Sequence, residues 1–108
     1  MPNYEIAYIE LKKVYAKTEA EAQKAREDET TCANVAKLAN QYWRFAEEAY
    51  ENHPSDALDR ICDDRMRRAE EAEEILADAA KVRKALERAA AAYKKAIEAM
   101  EDLESMGL

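Results

Sequence analysis

The chain predicts an all-α protein, and three observations carry that prediction. One glycine and two prolines stand among 108 residues, 38% of which are charged, and alanine makes up nearly half of the 48% that are apolar. Apolar residues recur at alternating intervals of three and four along most of the length. The one internal proline lies at the midpoint, in Asn52-His53-Pro54-Ser55-Asp56, and separates two arms that hold no other breaker before Gly107.

The first arm opens with Pro2 and Asn3, where Asn3 is a candidate N-cap and Glu5 places an anion in the first turn. Tyr4, Tyr8, Leu11, Tyr15, Thr18, Ala22 and Ala25 then form a heptad seam. Ile6, Ile9 and Val14 widen the apolar surface there, while Glu10, Lys13, Lys17, Glu21 and Lys24 fall mainly off the seam. Residues 26–31, Arg-Glu-Asp-Glu-Thr-Thr, are polar and include Asp28, Thr30 and Thr31 as candidate caps for a new helix. The seam nevertheless keeps phase across them, through Glu29, Cys32, Ala36, Ala39, Trp43, Ala46 and Tyr50. Beside it runs a second stripe, Val35, Leu38, Tyr42, Phe45 and Ala49, too wide an apolar surface for a single neighbouring helix.

At the midpoint Pro54 lacks a backbone donor and drives His53 out of helical geometry, and Ser55 or Asp56 caps the next helix. A connection this short makes its flanking helices antiparallel neighbours, with Tyr50 meeting Leu58, Ala46 meeting Ile61 or Cys62, Trp43 meeting Met66, and Ala39 meeting Ala69. The second arm is apolar at Leu58, Ile61, Cys62, Met66, Ala69, Ala72, Ile75, Leu76, Ala79, Val82, Leu86, Ala89, Ala90, Tyr93, Ile97, Met100 and Leu103, with no local signal for a kink near 77–80. The expectation is a single all-helical domain, 1–108, of three helices at about 3–28, 31–52 and 55–106. Two very long helices and a four-helix bundle are the alternatives.

Charge narrows the function classes. Of the net −7, the segment 55–78 alone contributes −5, with nine carboxylates against four arginines. No lysine/arginine face gathers to neutralise phosphates or an anionic bilayer, so nucleic acid and membrane are disfavoured as partners. No stretch reaches the roughly 20 apolar residues needed to span a bilayer, and the N-terminus lacks a secretory pattern, so a cytoplasmic location is expected. Cys32 and Cys62 stand 30 residues apart with no CxxC and read as small core residues.

Chemistry finds little to work with. One histidine, in the turn, cannot build a di-iron bundle site, and zinc would need His53, Cys32, Cys62 and a carboxylate to converge. A phosphate-cradling loop cannot form from a single terminal glycine. No catalytic residue, metal or cofactor is therefore expected, and the chain reads as a non-enzymatic interaction or assembly protein. Tyr42, Trp43, Phe45 and Tyr50 are its candidate contact residues, for a protein partner that includes a second copy of itself. Against them stands the plain reading that these aromatics are core. Asp63, Asp64, Glu70, Glu71, Glu73 and Glu74 form a candidate acidic docking face, otherwise an ordinary solvated surface. That face supports a second function: a small acidic inhibitor that occupies a basic, nucleic-acid-binding surface on its target, as phage antagonists do. A structural or engineered bundle without a partner is the third.

Overall fold

A computed structural model of the chain describes residues 2–107, with side chains from Glu5 onward. Two helices account for nearly all of it, α1 (Pro2–Asn52) and α2 (Asp56–Ser105), joined in an antiparallel hairpin through His53, Pro54 and Ser55. The three-helix expectation fails at 28–31, where α1 runs on without interruption, and the four-helix alternative fails near 77–80, where α2 does the same. The two-helix alternative is the one observed.

The reason lies in how the polar residues of 26–31 are used. Thr31 Oγ1 donates to the Glu27 carbonyl oxygen at 3.1 Å, a bond that satisfies a hydroxyl inside a helix and leaves it unavailable as a cap. Glu29 keeps the seam position that the heptad requires. Leaving a helix here would also favour a left-handed residue, and the only one among the described residues is Gly107 (φ 76°), at the far end of the chain. Gly107 closes α2 by donating its N–H to the Glu104 carbonyl oxygen at 3.0 Å. Phase and continuity outweigh locally weak helix formers.

The turn agrees closely with the expectation. His53 N–H donates to the Ala49 carbonyl oxygen at 2.9 Å, and Ser55 Oγ accepts the N–H of Leu58 at 3.1 Å, which makes Ser55 the N-cap of α2. Asp56 and Asp59 then lie in the first turn, where the helix dipole favours carboxylates. At the other end α1 begins at Pro2, one residue ahead of the expected cap Asn3, and the side chain of Tyr4 lies outside the described set.

Two compact units divide the hairpin: Glu27–Ala80, which includes the turn, and Met1–Arg26 with Lys81–Leu108. In both, the buried seam is built from small residues. Ala36, Ala46, Ala69 and Ala72 are the buried apolar residues of the turn unit, and Ala22, Ala25 and Ala90, beside buried Thr18, are those of the terminal unit. No large side chain among the described residues is fully buried. Thr18 is accommodated because its hydroxyl donates back to the Val14 carbonyl oxygen at 2.8 Å.

An alanine seam lets two backbones approach closely but removes little area from water. The chain exposes 8135 Å². A compact chain of its 12.3 kDa exposes about 6,100 Å². Against about 17,800 Å² for the unfolded chain, the hairpin buries only about 54%, less than the ~60% typical of a domain half as long.

A candidate helix-docking face

The exposed apolar surface of the turn unit is gathered on one side. On α1 it consists of Val35 (52% exposed), Leu38 (52%), Tyr42 (55%) and Phe45 (61%), which lie one turn apart along a single stripe; on α2 it includes Ile61 (40%) and Ile75 (59%). Two open grooves between the helices join these stripes into one face. One, of about 460 Å³, is walled by Ala39 and Tyr42 on α1 and by Ile61, Asp64, Arg65 and Arg68 on α2. The other, of about 270 Å³, lies between Thr31, Cys32 and Val35 on α1 and Arg68, Glu71, Ala72 and Ile75 on α2. Arg68 belongs to both.

Sequence periodicity explains why these side chains remain outside. With Ala36, Ala39, Trp43 and Ala46 facing α2, the stripe Val35–Leu38–Tyr42–Phe45 falls to one side of the contact. On the α2 part of the turn unit the half-buried and buried positions are Leu58, Cys62, Arg65, Met66, Ala69, Ala72, Leu76, Ala79 and Ala80. Ile61 and Ile75, expected in the helix contact, therefore sit one position outside it, and Arg65 takes a place expected to be apolar. Arg65 fits because its aliphatic stem covers the seam while its head group reaches out. Its Nη1 donates to the Tyr42 carbonyl oxygen at 2.9 Å, and its guanidinium carbon lies 5.8 Å from the centre of the Tyr42 ring.

The candidate aromatics thus have different fates. Tyr42 and Phe45 lie on the open face, Trp43 is half-buried in the seam, and Tyr50 is 38% exposed beside the turn. What sequence reasoning missed on this face are Ile61, Ile75 and Arg68. Their spacing of seven is the available signal, hidden because both isoleucines are apolar enough to suit the contact with α1.

The six candidate acidic residues are all exposed, but they do not share one surface. Asp64 and Glu71 line the grooves. Glu73 accepts a hydrogen bond from Asn40 Nδ2 at 3.1 Å across the opposite edge of the helix pair. Asp63, Glu70 and Glu74 fall on the outer side of α2, away from the seam. Asp64 is paired with Arg68, whose Nε lies 3.0 Å from its Oδ2.

The surroundings of Cys62 oppose its ionisation. Partial burial pushes the Cys62 thiol up, and the carboxylates of Glu47, Asp59 and Asp63 add to that effect against the opposing Arg65, so the thiolate is disfavoured. Cys32 faces the Ala72–Ile75 level of α2, and Cys62 lies ten residues earlier on that helix, about 15 Å along its axis. Both are free, and that separation prevents a bond within one chain. His53 is exposed in the turn, and no group of histidines, cysteines and carboxylates among the described residues is arranged to hold a metal ion. No helix among them is long and apolar enough to cross a membrane. No protein family, curated protein or solved structure matches the chain.

Proposed function

We propose that the chain is a non-enzymatic assembly protein whose working surface is the apolar face of Glu27–Ala80, covered in use by helices of a protein partner that can be a second copy. The single observation carrying this reading is the alignment of Val35, Leu38, Tyr42, Phe45, Ile61 and Ile75 on one side of the hairpin, each at least 40% exposed. The exposed area supports it. The excess over a compact chain of this mass is about 2,000 Å², while a standard protein interface removes about 800 Å² per partner. The two free, half-buried thiols fit a reducing compartment, so the cytoplasm is the proposed location.

The acidic-inhibitor reading draws less support, because the six carboxylates point to several sides and two of them already have partners. Light scattering over a micromolar concentration range tests the proposal. The expected result is a mass above 12.3 kDa that falls on dilution. Leu38→Glu with Phe45→Glu should shift that transition to at least about tenfold higher concentration while helical circular dichroism is retained, since both side chains are already half exposed. A chain that stays monomeric throughout, and whose affinity for helical partners the double variant leaves unchanged, would overturn it.

A further inference from the structure

Resting on the assembly reading above, we infer that Glu27–Ala80 has a second packing, in which both helices are rotated by half a residue step and bury this apolar face against each other. Two overlapping seams are written into the same residues. The observed one uses Cys32, Ala36, Ala39, Trp43 and Ala46 on α1, and moving alternate members back one position gives Cys32, Val35, Ala39, Tyr42 and Ala46. On α2 the same step replaces Cys62, Ala69 and Leu76 by Ile61, Arg68 and Ile75, while Arg65, Ala72 and Ala79 stay. At about 100° per residue, half a step is a rotation of about 50° for each helix. Both replacement stripes lie on one side of the pair, since Tyr42 shares a groove with Ile61 and Arg68, and Val35 shares one with Arg68 and Ile75. Antiparallel helices rotating in opposite senses, as meshed gears do, therefore carry both stripes into the contact together.

The exchange between the two seams is nearly even in apolar content. Tyr42 enters as Trp43 leaves, Ile75 as Leu76 leaves, Ile61 as Cys62 leaves and Val35 as Ala36 leaves. Arg68 for Ala69 is the one unfavourable exchange, and an arginine stem already occupies the observed seam at Arg65. Little interlocks to oppose the rotation: the buried apolar side chains of this unit are Ala36, Ala46, Ala69 and Ala72, and no large side chain among the described residues is fully buried. A bond on the other edge holds the observed setting, where Asn40 Nδ2 donates to Glu73 Oε1 at 3.1 Å. Asn40 follows the seam residue Ala39 and Glu73 follows Ala72, so the rotation that brings Val35 and Ile75 in moves Asn40 and Glu73 apart. That bond is a latch that keeps the face on display, and a helix bound to the face favours the same setting. Affinity for a partner then falls as the fraction of chains in the closed setting rises.

Trp43 is the chain's only tryptophan and reports the rotation, because it is half-buried in the observed seam and stands at the rim of the second one. Asn40→Ala with Glu73→Ala removes the latch. Trp43 emission should then move to longer wavelength and its quenching by acrylamide should rise, with helical circular dichroism unchanged. Adding Ile75→Glu bars the second contact and should return both signals to those of the parent chain. A trap gives the second arm. In a Cys32→Ser, Cys62→Ser background, Val35→Cys with Ile75→Cys should form a disulfide within one chain on mild oxidation and shift Trp43 emission in the same direction. Oxidation should also weaken self-association or helix binding at least about tenfold against the same chain reduced. A disulfide that fails to form, unchanged Trp43 fluorescence in either arm, a shift accompanied by loss of helicity, or binding that oxidation leaves intact overturns the second packing. A chain that rotates in both arms but never binds a second copy or a foreign helix leaves the second packing standing and removes the assembly reading.

Discussion

The two units of the hairpin use the same seam and differ in how their exposed large side chains are arranged. In the terminal unit Tyr8, Leu11, Tyr15, Tyr93, Ile97 and Met100 occupy seam positions and are half-buried, and Ile6, Ile9, Val14, Val82, Leu103 and Met106 are exposed. Around the turn Trp43, Leu58, Met66 and Leu76 are half-buried among the alanines of the seam, and Val35, Leu38, Tyr42, Phe45, Ile61 and Ile75 are aligned beside it, in the open. The terminal unit also carries a charged cluster. Arg26 Nη1 lies 3.1 Å from Glu87 Oε1 and Arg83 Nη1 3.2 Å from Glu87 Oε2, so one carboxylate receives two guanidinium groups. The lesson is that burial and apolar content are separate choices. Both units place large hydrophobes in their own contact, and the turn unit also displays an aligned row of them.

Three perturbations test that contrast. The largest effect belongs to Thr30→Pro, which removes a backbone donor inside α1 and should cost about 3 kcal/mol or more in chemical denaturation. A loss under about 1 kcal/mol would mean that the chain does part at the polar stretch before the turn unit. Next comes Ala36→Leu. The alanine is 2% exposed, and added methylenes must force the helices of the turn unit apart, at about 1–3 kcal/mol in the same assay. Stabilisation instead would show that the alanine seam holds space to fill.

The smallest effect concerns Glu87. Hydrogen bonding from Arg26, with a second bond and charge from Arg83, holds its carboxyl below the usual range against the opposing effect of partial burial. Its contribution to stability is therefore present at neutral pH and is lost as pH falls through that lowered value. Melting temperature should drop more between about pH 6 and about pH 3 for the parent chain than for Glu87→Gln. Equal drops would mean that the cluster in the terminal unit is ornamental to stability, as exposed pairs often are.

Much of this was legible in residue spacing. Seam phase runs unbroken from Tyr8 to Tyr50, and the structure keeps it as far as Ala46, Glu29 included, while Tyr50 is exposed. The turn at His53-Pro54-Ser55 and the stop at Gly107 were also readable, because proline and glycine act through local backbone geometry. The break at 28–31 does not form because Asp28, Thr30 and Thr31 suit exposed helix positions as well as caps, and only the i−4 bond of Thr31 separates the two uses. On α2 the apolar identity of Ile61, Ile75 and Val82 competes with phase, which assigns the seam to Arg65 and Arg83. An arginine stem in a helix contact cannot be told from a surface arginine by type alone. The open face was half visible, as the α1 stripe, and its α2 half emerged only when the register between the helices was known.

The tight turn at Pro54 also sets the sequence distance that each contact must close. Arg65 reaches the Tyr42 carbonyl across a separation of 23 residues, while Arg26 reaches Glu87 across 61. Bringing the second pair together from an open chain costs about 0.9 kcal/mol more in loop entropy than the first. Once the turn unit has formed, that difference vanishes, because each further heptad adds only a few residues to an already closed loop. Assembly of the hairpin is in this sense a zipper whose first teeth are beside His53-Pro54-Ser55.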